Sequence, residues 1–244
     1  MLTAIRDLIY PPRCMTCPAE TALAGGLCPD CFDAVEFISG TTCALCGTPV
    51  DTPAHGQRPV CEECERHPRP WTEGRATLVY GGIGRRAVLQ LKHGDRLDIV
   101  PALATWMRRA GGDLIGAADL IVPVPLHWSR LVKRRYNQSA ELVRALDPAK
   151  AVPELLARPR RTRSLDGTTR GERAAELDGA IAVHPRHADR VAEARVLIVD
   201  DVMTTGATLD ACTRALLDHG ASGVDVLVLA RVVREPRDAI SAGR

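Results

Sequence analysis

Eight of the nine cysteines in this 244-residue chain fall before residue 65, and they come as four Cys-x-x-Cys pairs. The pairs are Cys14/Cys17, Cys28/Cys31, Cys43/Cys46 and Cys61/Cys64, with 10, 11 and 14 residues between them. Two thiolates two residues apart on a tight turn can occupy neighbouring vertices of a metal tetrahedron, so two pairs complete a structural zinc site. Four pairs therefore predict two zinc ions. Pro18, Pro29 and Gly47 supply turn-forming residues beside the thiols. Disulfides would need an oxidising compartment, of which the sequence carries no sign. A thioredoxin-type redox site would be one pair at a strand–helix junction, not four in series. The spacing leaves the pairing open: sequential sharing is simplest, and interleaved sharing is the alternative. Such a module holds too few large apolar residues to build a core of its own, so the metal must fold it.

A second constellation lies near the other end. Val196-Leu-Ile-Val-Asp-Asp-Val-Met-Thr-Thr-Gly-Ala-Thr-Leu209 runs from an apolar strand through two adjacent acids into a small-residue loop, then into a helical pattern. Open α/β folds bind ligands at the carboxyl edge of the sheet, which is where such a strand delivers its loop. The small residues Thr204, Thr205, Gly206, Ala207 and Thr208 let backbone N–H groups approach a phosphate at a helix N-terminus. Asp200 and Asp201 can accept hydrogen bonds from sugar hydroxyls, or contact a metal that those hydroxyls bind. A Walker A loop is excluded, because no Gly-Lys-Ser/Thr follows and the acids precede the loop.

This pattern resembles the binding motif for 5-phosphoribosyl-1-pyrophosphate (PRPP) in type I phosphoribosyltransferases. The resemblance implies that the two acids hold the ribose hydroxyls and the loop holds the 5′-phosphate. Val122-Pro-Val-Pro-Leu-His-Trp-Ser-Arg130, then Arg134-Arg-Tyr-Asn-Gln138, is similar to the pyrophosphate-side loop and helix of the ComF family. Leu91-Lys-His-Gly-Asp95 is similar to that family's Lys-x-x-Gly-Asp stretch. ComF proteins join a cysteine-rich zinc module to a phosphoribosyltransferase-like domain, and the matches run in that order over most of the chain. The likeness implies Leu126, His127 and Arg130 on the pyrophosphate side, Lys92 and Arg130 as catalytic cations, and Mg²⁺ accompanying PRPP. It also implies a link to natural competence, with single-stranded DNA and a competence helicase as partners. Two alternatives stand beside an enzyme: a PRPP-responsive regulator without turnover, and an adaptor for nucleic acid or helicase. Where purine-salvage relatives carry an Asp three residues after the second acid, this chain has Thr204, which argues against that mechanism. In the segment 160–173, similar to a mobile hood, positions near Leu165 and Glu176 depart from the family's Gln and Asn.

Positioning these residues requires strands and helices in alternation. Ala76–Tyr80, Leu120–Pro125, Arg195–Asp200 and Val224–Ala230 read as strands; Gly84–His93, Ile99–Arg109, 126–146 with a break near Tyr136-Asn137, and Leu209–His219 read as helices. Continuous apolar strands separated by helices predict a parallel sheet covered on both faces. The expected fold class is α/β: a type I phosphoribosyltransferase-like sheet at 71–244, preceded by a zinc-ribbon module at 1–70, with His67–Trp71 as linker. The formal charge of +2 hides an asymmetry. Residues 1–75 hold 6 basic and 10 acidic groups, whereas 130–173 hold 12 basic and 5 acidic. A basic segment suits a phosphate-rich ligand or a nucleic-acid backbone, although only 3% of residues are aromatic for base stacking. No apolar run is long enough to cross a membrane, and the first ten residues lack a secretory pattern, so the expectation is a cytoplasmic protein without membrane insertion. Cys212, alone in a helical pattern, reads as a core residue.

Overall fold

A computed structural model describes residues 11–21, 24–54, 56–93, 96–127, 131, 135–159 and 179–233. Arg130, Arg134 and the segment 160–178, on which the sequence placed expectations, lie outside them. The elements, in chain order, are α1 (Pro29–Asp33), α2 (Glu62–Arg66), β1 (Gly74–Val79), α3 (Gly82–His93), α4 (Val100–Ala117), β2 (Leu120–Pro123), α5 (Gln138–Leu146), β3 (Leu156–Ala157), β4 (Ala182–Val183), β5 (Arg195–Met203), α6 (Ala207–Leu217) and β6 (Gly223–Arg231).

Four strands form one parallel sheet in the order β1-β6-β5-β2. All are largely buried on both faces and mostly apolar, as a sheet with two covers demands. Successive β5 side chains divide between the faces. Leu197 and Val199 join a cluster with Leu91, Leu103, Met107 and Leu142 from α3, α4 and α5, whereas Val196 and Ile198 join one with Leu209, Cys212 and Leu216 of α6. Cys212 is thus the core residue its pattern implied. Two expected elements are longer than their patterns: α4 runs to Ala117, and β5 continues through both acids to Met203. The short antiparallel β3–β4 pair has no periodic signal, since each strand has two residues and β sequence patterns need several.

The zinc module grips the sheet rather than trailing from it. Cys14, Met15, Cys28 and Cys31 belong to the cluster under α3 and α4, while Cys43, Cys46, Cys64 and Trp71 belong to the cluster under α6. Between the two knuckles the chain pairs with β1: Ile38 N–H donates to Thr77 O, and Val79 N–H donates to Glu36 O. This added segment covers an edge that would otherwise expose open hydrogen-bonding groups. The opposite edge, β2, is closed by residues 150–152, bonded to Ile121 through both its N–H and its C=O. Residues 67–71 contain no helix or strand, yet they are no free tether: Arg69 and Trp71 are buried. A buried indole and guanidinium cost too much to leave without fixed partners, and both have them.

The fit between module and sheet is tightest at Gly74. A Cβ there would stand 2.1 Å from Leu45 O, in the turn between Cys43 and Cys46. Gly74→Ala is therefore expected to destabilise the chain by about 1–3 kcal/mol, the usual cost of overpacking. Gly223→Ala, whose Cβ would meet nothing within 4 Å, is the control and should change little. Urea denaturation of the two variants checks the contrast.

Candidate functional site

The cysteines resolve the pairing question. Sγ atoms of Cys14, Cys17, Cys28 and Cys31 lie within 4.8 Å of one another, and so do those of Cys43, Cys46, Cys61 and Cys64. The arrangement is sequential, two pairs to a site. A zinc ion with Zn–S bonds of about 2.3 Å sets neighbouring sulfurs roughly 3.8 Å apart. Cys17–Cys28 and Cys46–Cys61 are each separated by 3.6 Å, so both cages fit the ion. In the second cage, hydrogen bonding from Cys43, Cys61 and Cys64 pushes Cys46 down, while Cys43 and Cys46 push both Cys61 and Cys64 up. Four crowded sulfurs cannot all ionise on their own; a divalent cation makes all four thiolate ligands at once.

The sheet places the second constellation at its carboxyl edge. β2 and β5 are adjacent and parallel, with Pro123 opposite Val199. The turn after β2, Val124 to His127, therefore emerges beside the end of β5. Leu126 is half-buried and His127 buried there. At the end of β5 the pleat sends Asp200 and Asp201 in opposite directions. Asp201 Oδ1 meets Lys92 Nζ from α3 at 2.9 Å. Asp200 Oδ1 accepts from Ser139 Oγ at 3.1 Å and from the Asp201 N–H at 2.9 Å. Burial, then repulsion from Asp201, pushes the Asp200 carboxyl up to about 7, against the opposing pull of Lys92 and these two donors.

After Met203 the chain turns through Thr204, Thr205 and Gly206 into α6. Gly206 sits at φ +85°, the left-handed region glycine tolerates best, and forms the cap from which Ala207 starts the helix. Thr204 is exposed, Thr205 and Thr208 half-buried, and Gly206 and Ala207 buried. Two buried arginines hold the loop from behind. Arg231 Nη1, at the end of β6, donates to Met203 O at 3.2 Å and Thr204 O at 2.5 Å. Arg69 Nη1 donates to Thr205 O at 2.8 Å. Three consecutive carbonyls are thereby committed to guanidinium groups. In a trans peptide the following N–H points the opposite way from the C=O, so the N–H groups of Thr204, Thr205 and Gly206 face away from the arginines.

Residues 5–65 match the double zinc ribbon domain, and residues 120–240 match the phosphoribosyl transferase domain. DNA utilization protein YhgH of Escherichia coli (strain K12) is 30% identical over 241 residues, covering 93% of this chain and all of that one. Competence protein F of Haemophilus influenzae is 26% identical, covering 90% and 96% of the two chains. Competence protein ComFC of Bacillus subtilis is 25% identical, covering 84% of each. The chain belongs to the ComF family. A solved Trypanosoma cruzi hypoxanthine phosphoribosyl transferase overlaps it loosely, at 19% identity and a TM-score of 0.33 over 57% of this chain and 68% of that one.

In this ComF-family chain the structure brings Lys92, Leu126, His127, Asp200, Asp201 and the 204–208 loop to one end of the sheet. Sequence reasoning placed Tyr136 and Asn137 in the pyrophosphate-side motif but missed what they hold, and it missed Ser139, Arg69 and Arg231 altogether. Ser139 and Asn137 tie α5 into the site: the Asn137 side chain accepts from Ser139 N–H as the helix cap and donates to Val124 O at 3.0 Å. An Asn before a helical run is a legible cap signal. Tyr136 O–H adds a 2.6 Å bond to Leu91 O beside Lys92. Arg69 and Arg231 carried no local signal, because their partners are 136 and 27 residues away.

A carboxyl raised from its ordinary value of 3.8 to about 7 in the fold contributes stability that is complete below 3.8 and lost as pH rises through 7. Asp200→Asn removes that loss. The variant is expected to gain on the order of 4 kcal/mol over the parent at pH 8, with the gain shrinking toward pH 5. Thermal melts across this range check it, and a gain independent of pH would contradict the assignment.

Proposed function

We propose that the chain is a phosphoribosyltransferase-type protein that binds PRPP with Mg²⁺ at the carboxyl edge of its sheet and acts in handling incoming DNA. The observation carrying this reading is the loop whose carbonyls are held from behind by Arg69 and Arg231, so that the N–H groups of Thr204, Thr205 and Gly206 face away from those arginines, beside two strand-end acids. The loop with the N-terminus of α6 offers donors and a positive dipole end to a 5′-phosphate. Asp200 and Asp201 accept from the ribose hydroxyls, and ligand hydroxyls would replace the present neighbours of Asp201. Lys92 then becomes available to the pyrophosphate oxygens, alongside Arg130 and the turn at Leu126 and His127.

The Asp200 carboxyl suits a cation: half-buried beside the buried Asp201, which repels it, it lacks full counter-charge. Mg²⁺ would be held by Asp200 or Asp201 through the sugar hydroxyls, supplying charge neutralisation for departing pyrophosphate. The residues of this chain bind and orient the sugar, and the cationic side chains stabilise charge as it builds on the leaving group. The acceptor is left unassigned, and a PRPP-responsive regulator uses the same binding site.

Similarity to a DNA utilization protein and to two competence proteins supports a role with DNA. Among the described residues no helix is long and apolar enough to cross a membrane. A second reading, direct single-strand binding, draws on a different surface. The chain has only two phenylalanines, and they form a row with Trp106: Phe32 and Phe37 centroids are 5.6 Å apart, and Phe37 stacks edge-on to Trp106 at 5.3 Å. Phe32 is 50% exposed, and Arg109 lines the adjoining cavity. Aromatic faces beside a cation are what base stacking uses.

PRPP with Mg²⁺ is expected to raise the melting temperature, by the equivalent of about 2.7 kcal/mol at a hundredfold excess over Kd. The double substitution Asp200→Asn, Asp201→Asn should abolish the shift while leaving the protein folded. A parent protein that shows no shift overturns the proposal. For the second reading, Phe32→Ala with Phe37→Ala should weaken salt-sensitive retention of single-stranded DNA; undiminished retention removes this surface from consideration.

A further inference from the structure

We propose that Arg69 couples the second zinc site to the phosphate loop, so that zinc bound at Cys43, Cys46, Cys61 and Cys64 and phosphate bound at 204–208 stabilise each other. The inference rests on the reading of that loop as a phosphate site. Arg69 is a positioning residue: it touches neither the ligand nor the metal.

The Arg69 side chain has no exposed surface at all. Its Nε points at Cys64 Sγ, 3.5 Å away, while Nη1 donates to Thr205 O at 2.8 Å. One planar group therefore spans a zinc ligand and the loop. The guanidinium lies over Trp71 at 5.4 Å, and the Trp71 indole N–H donates to Leu45 O in the knuckle turn, at 2.6 Å. Nη2 is buried without a hydrogen-bond partner. The loop is moulded on this arginine. A Cβ on Gly206 would stand 2.9 Å from Arg69 Nη1 and 3.3 Å from the Trp71 ring.

Charge supplies the coupling. A buried guanidinium is tolerated only with a counter-ion. Asp210 provides one at 3.7 Å, on the first turns of α6. The other is the zinc centre itself, since four thiolates around one divalent ion carry a net charge of about −2. Without zinc, nothing gathers the four sulfurs, and Arg69 loses the fixed partner that holds it between Cys64 and Thr205. The carbonyl of Thr205 is then released, and the N–H of Gly206 with it. Reciprocity follows: a ligand that fixes the loop fixes Arg69 against Cys64, which slows escape of the metal. The first zinc site, on the other face of the sheet, has no such bridge among the described residues.

The test follows release of zinc from the full-length, zinc-loaded chain to a chromogenic chelator, with and without PRPP and Mg²⁺. In the parent protein, one of the two zinc ions should leave roughly tenfold more slowly when PRPP is present, within the usual range of coupling between sites. Arg69→Met keeps the apolar stem and removes the fork. That variant should still bind two zinc ions, should lose one of them faster than the parent without ligand, and should show no slowing by PRPP. Arg69→Lys should restore part of the charge effect. Parent-like release from Arg69→Met, or slowing that persists in it, overturns the coupling. Should PRPP fail to bind the parent, the phosphate reading falls, and hydrogen exchange at 204–208 decides the coupling alone. Faster exchange in zinc-loaded Arg69→Met supports it, and unchanged exchange overturns it.

Discussion

The carbonyls of Met203, Thr204 and Thr205 are held by two buried guanidinium groups, and the rest of the molecule is arranged so that this is possible. Burying an arginine in a low-dielectric interior demands an opposite charge and satisfied hydrogen bonds. Arg231 comes from the end of the central strand β6, so the sheet supplies one. Arg69 comes from the segment joining the zinc module to β1, so the module supplies the other. The zinc centre behind them provides thiolate charge, which a purely apolar core could not. A loop of small residues is thereby held in a conformation with a left-handed glycine at its apex.

This arrangement changes what the zinc module is for. As a chain of knuckles with few large apolar residues, it looks like a separate appendage. In the structure it clasps the sheet from both faces, closes the β1 edge, and reaches the ligand loop through Arg69. The Gly74–Leu45 approach leaves no room for slack between the two parts. In the proposed coupling, metal binding and formation of the site are parts of one event, and packing on the sheet adds to what the ions contribute to the small module.

Much of this was legible in the residues. Four Cys-x-x-Cys pairs announce two tetrahedral sites, because thiol spacing is a local property; only their pairing required three dimensions. The strand, acid pair and loop at 196–209 announce a carboxyl-edge site for the same reason, and the alternation of apolar strands with helices announces the sheet. What was hidden depends on distance along the chain. Arg69 reads as an unremarkable residue between two prolines until folding carries it to Thr205. Opposite placement of Asp200 and Asp201 follows from the pleat, but whether each finds a lysine or a serine depends on helices α3 and α5. The two phenylalanines gather into one surface with Trp106 of α4 only when the segment carrying Phe37 lies along the β1 edge.

The central claim is that the backbone from Thr204 to Thr208, fixed from behind, offers its N–H groups to a phosphoribosyl ligand. Hydrogen–deuterium exchange of the full-length, zinc-loaded protein, with and without PRPP and Mg²⁺, addresses those N–H groups themselves. Protection concentrated in peptides covering 200–208 is the predicted result. Exchange that is unchanged there, at a PRPP concentration that alters exchange elsewhere in the chain, would contradict the account.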